Sequence, residues 1–191
     1  MRSAVFLDRD GVLNRTVMRD GRAASPRALG EFHLLPGVRA AAETLDAAGL
    51  LAIVVTNQPD LARGRLDCAE LDRMHEHLCK HVRVAAIYIC PHDDADGCAC
   101  RKPKPGLLLR AARDWNIRLE QSWMVGDTGK DIEAGKAASC TTLWIGSDPD
   151  SARTAPDFVA SDFPAAARAI LQQFRRRRRF ALARSEAGAR Q

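Results

Sequence analysis

The feature that most constrains this chain is an alternation of two hydrophobic periods. Nearly unbroken apolar runs at residues 4–7, 51–56, 85–89, 122–125 and 142–145 have the length of strands and lack the polar alternation of a half-exposed sheet. Between them, residues 38–48, 67–80, 107–115 and 131–138 carry apolar side chains at helical spacing, and the second of these opens with Asp67 three residues before Glu70, close to a capping box. Strands that alternate with helices, each strand covered on both faces, predict an α/β fold with a doubly wound parallel sheet. With 191 residues, 46% of them hydrophobic, one domain with a real core is expected.

In such sheets ligands gather beyond the carboxyl ends of the strands. The residues predicted there are Asp8 and Asp10, Thr56 and Asn57, the stretch 90–104, and Asp127. Asp8 and Asp10, followed by Gly11, put two carboxylates two residues apart at the end of a buried strand. Such a pair is costly unless a cation or a proton lies between its members, although a solvated turn would use the same residues. Asp127 and Asp131 follow a second strand, Thr56 and Asn57 end a third, and Lys102 brings an ammonium from a fourth. Acidic groups for a hard cation beside a hydroxyl and an ammonium for an anion suit phosphoryl transfer, where positioning and charge neutralisation do most of the work.

The six cysteines are not evenly spread. Cys90 and His92, then Cys98 and Cys100, offer three thiols and one imidazole in eleven residues, a set that suits a closed tetrahedral structural zinc site. Cys68, Cys79 and Cys140 match no ligand spacing and are expected to be small packing residues.

Taken in order, Asp8-x-Asp10-Gly11, Thr56-Asn57, Lys102 and Gly126-Asp127-x3-Asp131 resemble the four signature motifs of the haloacid dehalogenase-like phosphohydrolases, over residues 4 to about 146. A zinc loop running into Arg101 and Lys102 resembles the branch that holds the D-glycero-D-manno-heptose 1,7-bisphosphate 7-phosphatases and the histidinol-phosphate phosphatases. Asn14 and the Ala62-Arg63-Gly64 triplet favour the heptose side. Pro59-Asp60 departs from the Ser-Gly usual there, and the early loop carries Arg15, Arg19, Arg22 and Arg27 in place of a Gly-Tyr-Val stretch.

The resemblance implies a Rossmann-like sheet without a large cap domain and a magnesium-dependent phosphomonoesterase. Asp8 would be the nucleophile and Asp10 the general acid and base, partly protonated to serve as both. Mg2+ would be held by Asp8, the carbonyl of Asp10 and Asp127, with Asp131 in support. Thr56, Asn57, Arg101 and Lys102 would bind the phosphate, and Zn2+ would sit on Cys90, His92, Cys98 and Cys100. The partner expected is a small phosphorylated sugar.

Net charge is +5, yet eight Arg and one Glu lie from Ala165 onward, so residues 1–164 carry a net −2. The basicity centres on the arginines 175–179 and is not a basic face of the domain. Residues 1–174 are therefore read as the phosphatase domain, with a short helix ending near Phe174, and 175–191 as a basic, disordered tail. No apolar window spans a membrane and no secretory leader is evident, so a cytoplasmic monomer is expected. The rival readings are a histidinol-phosphate phosphatase and, in another class, a zinc-stabilised nucleic-acid-binding protein or DNA-end phosphatase that uses the arginine run. Aromatic residues at 5% and the acidic core argue against a nucleic-acid partner.

Overall fold

In the computed structural model residues 2–147 and 154–188 are described, with side chains through residue 179. A six-stranded, all-parallel sheet runs in the order β5-β4-β1-β6-β7-β8. Its strands are β1 (Ala4–Leu7), β4 (Leu51–Asn57), β5 (Ala86–Cys90), β6 (Trp123–Gly126), β7 (Thr141–Ile145) and β8 (Phe158–Ala160). Five lie within a residue or two of the apolar runs; β1, β4, β6 and β7 are buried on both faces, while β5 is half-buried at the sheet edge.

The helices α1 (Val38–Ala47), α2 (Cys68–His81) and α5 (Phe163–Gly188) cover one face, packing Leu45, Met74 and Ile170 against Val5 and Leu7. On the other face α3 (Gly106–Trp115) and α4 (Gly129–Ala137) pack Leu108 and Ala134 against Ala4 and Phe6. Burying each large aliphatic side chain contributes roughly 1.5–3 kcal/mol. Asp67 caps α2 by accepting from the Ala69 and Glu70 amides, while Glu70 accepts from the amide of Leu29 instead of returning the bond. From β1 the chain winds outward through β4 to β5, then returns to the other side of β1 for β6 to β8. The crevice where strand order reverses therefore opens at the carboxyl ends of β1 and β6, which are followed directly by Asp8 and Asp127.

Three expectations need correction. The stretch after β1 is not a featureless loop: Val17–Arg19 (β2) and Arg22–Ala24 (β3) form an antiparallel hairpin, closed by Asp20 and Gly21 at positive φ. A two-residue Asp-Gly turn of that kind matches the twist of its strands. Helix α5 does not stop near Phe174 but runs through the arginines 175–179 to Gly188, a stretch free of Pro and Gly after Pro164 and rich in good helix formers. Cys140 is buried as expected, whereas Cys68 and Cys79 are exposed on α2.

Candidate active site

Asp8 leaves β1 with its amide bonded to the carbonyl of Val125 on β6, which sets its carboxylate in the crevice. Lys102 reaches the same point from the loop before α3. Its ammonium lies 2.7 Å from Asp8 Oδ1 and 2.6 Å from Asp131 Oδ1, and it donates to the carbonyl of Val55 at 2.8 Å. The lysine is 2% exposed. Burial works against its charge, but Asp131 and Asp8 overcome that and hold its pKa above the usual range. Asn57, at the end of β4, fixes the Lys102 backbone by donating to its carbonyl and accepting from its amide, both at 3.1 Å.

Asp131 is fully buried on the first turn of α4. Its Oδ2 accepts from the amide and hydroxyl of Thr128, capping the helix, which leaves Oδ1 for Lys102. Gly126 makes this packing possible, since a Cβ there would lie 2.1 Å from that of Asp131. Gly11, at φ +86°, lets the backbone pass Asp127, whose Oδ2 would be 1.9 Å from any Cβ.

Carboxylate oxygens of Asp8, Asp127 and Asp131 lie within 4.8 Å of one another. Burial pushes Asp8 up to about 7, with Lys102 opposing and Asp131 and Asp10 adding to the rise. Asp127 is pushed up to about 8 by burial and then by Asp8 and Asp131. Its Oδ1 is buried without a hydrogen-bond partner among the described residues. Crowded hard oxygens, one unpartnered and two disfavoured as anions, fit a divalent cation, whose charge would reverse the cost.

Asp10 differs. It accepts from Arg9, from Asn14 and Gln58 at 2.9 Å each, and from the Ser25 hydroxyl at 2.9 Å. Burial opposes its charge, but Arg9 and then the amides of Asn14 and Gln58 outweigh it and hold the carboxyl below the ordinary range. The expectation of a partly protonated Asp10 is thus corrected: its surroundings favour the carboxylate.

Thr56 also departs from expectation. It is buried, is not part of the cavity wall, and its hydroxyl accepts from Gln58 at 2.9 Å, so at this strand end the wall is Asn57. Arg9 and Ser25 are site residues that motif spacing did not single out, and Gln58, which stands beside Asn57 in the motif, was given no role at Asp10. A charged residue between two aspartates at the end of a buried strand was the one available signal for Arg9.

Above these groups opens a cavity of about 730 Å3. Arg101 lines it, held by Asp94 at 2.7 Å and by the carbonyl of His92 at 3.1 Å. Arg19, Arg22, Arg27, Arg63 and Arg65 add guanidinium groups from the hairpin side and the α2 side, while Arg15 is not part of the wall. Arg19, Arg27 and Arg63 pair with Glu31, Asp60 and Asp93, whereas the side chains of Arg22 and Arg65 have no ion pair or hydrogen bond among the described residues. The wall can receive more than one anionic group.

The loop from β5 gathers Cys90, His92, Cys98 and Cys100. Cys100 Sγ lies 3.2 Å from Cys90 Sγ, 3.4 Å from Cys98 Sγ and 3.3 Å from His92 Nδ1, and Cys90 is 3.7 Å from both His92 and Cys98. Tetrahedral zinc with Zn–S bonds of about 2.3 Å separates its sulfurs by about 3.8 Å, so a small outward relaxation admits the ion. Gly106 seats α3 against this loop, where a Cβ would meet the carbonyl oxygen of Ala99 at 2.2 Å.

Comparison with known proteins agrees with this geometry. A family profile described as HAD-hydrolase-like matches residues 99–166. The D-glycero-beta-D-manno-heptose-1,7-bisphosphate 7-phosphatase of Pseudomonas aeruginosa is 38% identical over 149 residues, covering 75% of this chain and 81% of that protein. Its counterpart from Bordetella bronchiseptica is 35% identical over 185 residues, 88% of this chain and 98% of the relative. The crystal structure of D,D-heptose 1,7-bisphosphate phosphatase from B. bronchiseptica, complexed with magnesium and phosphate, superposes with a TM-score of 0.75 at 33% identity, covering 90% of this chain and 99% of that one.

Proposed function

The chain belongs to the D-glycero-beta-D-manno-heptose-1,7-bisphosphate 7-phosphatase family of HAD-like hydrolases, and from that premise we propose that it removes the 7-phosphate of D-glycero-D-manno-heptose 1,7-bisphosphate through an aspartyl-phosphate on Asp8. The observation that carries the reading is the Lys102 ammonium, fixed between Asp8 and Asp131 at the base of an arginine-lined cavity.

Asp8 attacks phosphorus, the bond from phosphorus to the sugar oxygen breaks, and that oxygen takes a proton from Asp10. Water then attacks the acyl-phosphate, gives its proton back to Asp10, and releases phosphate; the split replaces one hard step by two easier ones. Because Asp10 rests as a carboxylate, it takes up one proton from solvent as the substrate binds, when the charge of the incoming phosphate raises its proton affinity; it gives that proton to the leaving oxygen and regains one from the attacking water. Lys102 and Asn57 face the transferring group, Asp131 holds Lys102 in place, and Arg101 grips a phosphate oxygen. Thr56 supports Gln58 and through it Asp10.

Mg2+ would be held by Asp8, the carbonyl of Asp10 and Asp127, and bound there it supplies positive charge to the phosphoryl oxygens. Zn2+ on Cys90, His92, Cys98 and Cys100 is structural, since four protein ligands leave no open position. The partner is a small phosphorylated sugar, met by a cytoplasmic monomer with no part for nucleic acid or membrane. Among the described residues no helix is long and apolar enough to cross a membrane. A phosphate-release screen with magnesium across heptose bisphosphates, histidinol phosphate and 3′-phosphorylated DNA tests the proposal. Heptose 1,7-bisphosphate is expected to lead, and a lead for either of the others refutes it.

A further inference from the structure

Behind Asp10, on the side away from the cavity, lies a buried pair that the reaction scheme leaves unused. Arg9 is completely buried, an expensive place for a guanidinium unless every face is matched. Its Nε and Nη2 donate to Asp10 at 3.0–3.2 Å. Its Nη1 lies 3.1 Å from Nε2 of His75, a residue of α2 that is 8% exposed. The ring of Phe32 covers the guanidinium, with Cζ 5.4 Å from the ring centroid.

Arginine can only donate, so His75 Nε2 must present its lone pair and the ring must be neutral, with its proton on Nδ1. The surroundings enforce that form. Burial first, and then the Arg9 charge, lower the imidazole pKa to about 4, with Asp10 opposing. The His75 side chain makes no other hydrogen bond among the described residues, and Arg9 gives its remaining side-chain bonds to Asp10 alone.

We infer that His75 is a positioning residue for the proton transfers at Asp10: by accepting from Nη1, the one Arg9 nitrogen that does not bond Asp10, it locks the guanidinium in plane and with it the carboxylate. The inference rests on the role given to Asp10 above. A merely structural His75 would affect folding; a positioning His75 affects kcat. Asp10 handles protons while the cavity wall binds the substrate, so a loosened Asp10 slows turnover without weakening binding.

The test uses the full-length, metal-loaded enzyme assayed on heptose 1,7-bisphosphate. His75→Leu is expected to lower kcat about ten-fold or more with KM within about two-fold, as for the loss of a hydrogen bond to a charged group. His75→Gln, whose amide oxygen can accept from Arg9, is expected to recover most of that loss. Leu78→Ala, a core truncation on the same helix, is expected to melt lower yet keep kcat below its transition. Should His75→Leu prove insoluble, His75→Asn, polar but too short to reach Arg9, takes its place with the same expectation.

Wild-type kcat in folded His75→Leu, no recovery in His75→Gln, or an equal kcat loss in Leu78→Ala overturns the inference. Asp10→Asn separates the two levels. If it keeps wild-type turnover, the role of Asp10 fails; if it is inactive while His75→Leu is not, only the positioning role fails.

Discussion

Lys102 is bound to Asp8 across 94 residues of sequence at 2.7 Å, with its ammonium also on the Val55 carbonyl and the Asp131 carboxylate. The pairing neutralises Asp8 without using both of its oxygens, so the carboxylate keeps an edge free for phosphorus while its charge is held.

The first prediction follows from that edge. Asp8→Asn should fold like the wild type, since Lys102 keeps Asp131 and the Val55 carbonyl, yet phosphate release should fall to background because an amide does not attack phosphorus. Lys102→Met should cost about a hundred-fold or more in kcat, the scale for losing one preorganised charge at a transition state. Full phosphate release by purified Asp8→Asn would rule out the covalent route.

The loop of Cys90, His92, Cys98 and Cys100 leads to a second prediction, because Arg101 and Lys102 follow it directly. Protein purified without chelator should contain one zinc per chain by elemental analysis. Cys98→Ser should lower zinc content, melting temperature and kcat together, as ion binding and loop folding are coupled. Full activity and stability in zinc-free protein would remove the loop from the account.

How much of this was legible beforehand depended on the period of each segment and the reach of each contact. The strands β1, β4, β6 and β7 announce themselves because both faces are buried, so their runs are nearly all apolar; β5, half-buried at the sheet edge, still shows as the apolar run that ends at Cys90. β8 is only three residues long, with Phe158 and Val159 exposed at the sheet edge, and a run that short carries no period. The β2–β3 hairpin has exposed strands, so its only signal is the pair Asp20-Gly21. Asp8, Lys102, Asp127 and Asp131 were legible because each stands at a strand end or one turn into a helix. The support of Asp10 was not: Arg9, Ser25 and Gln58 reach it from sequence separations of 1 to 48 residues, His75 reaches Arg9 across 66, and only the fold brings them together.

A third prediction concerns acid. His75 has a folded-state pKa of about 4 against an ordinary value of 6.5, so the unfolded chain takes up its proton first as pH falls. The stability tied to neutral His75 is therefore complete above about pH 6.5 and lost progressively toward pH 4, by about 3 kcal/mol in all. Denaturant melts from pH 7.5 to 4 should show a slope that flattens in His75→Gln. An unchanged slope would mean that the loss comes from other groups.

The last prediction is about which substrate the cavity prefers. Arg22 and Arg65 line it without an ion pair among the described residues, while Arg101 is already engaged by Asp94. A substrate with one phosphate at the Lys102 end leaves those two guanidinium groups unused; a bisphosphate can reach them with the phosphate that is not cleaved. Heptose 1,7-bisphosphate should therefore exceed histidinol phosphate in kcat/KM, and Arg22→Ala or Arg65→Ala should erode that lead from the bisphosphate side alone. A lost charge-assisted hydrogen bond of about 1.5–3 kcal/mol corresponds to roughly ten- to a hundred-fold in kcat/KM. Arg101→Ala should lower both substrates, because Arg101 is assigned to the phosphate that both share. Equal losses on both substrates in Arg22→Ala and Arg65→Ala would place these arginines at the reacting phosphate and remove the basis for selecting a bisphosphate.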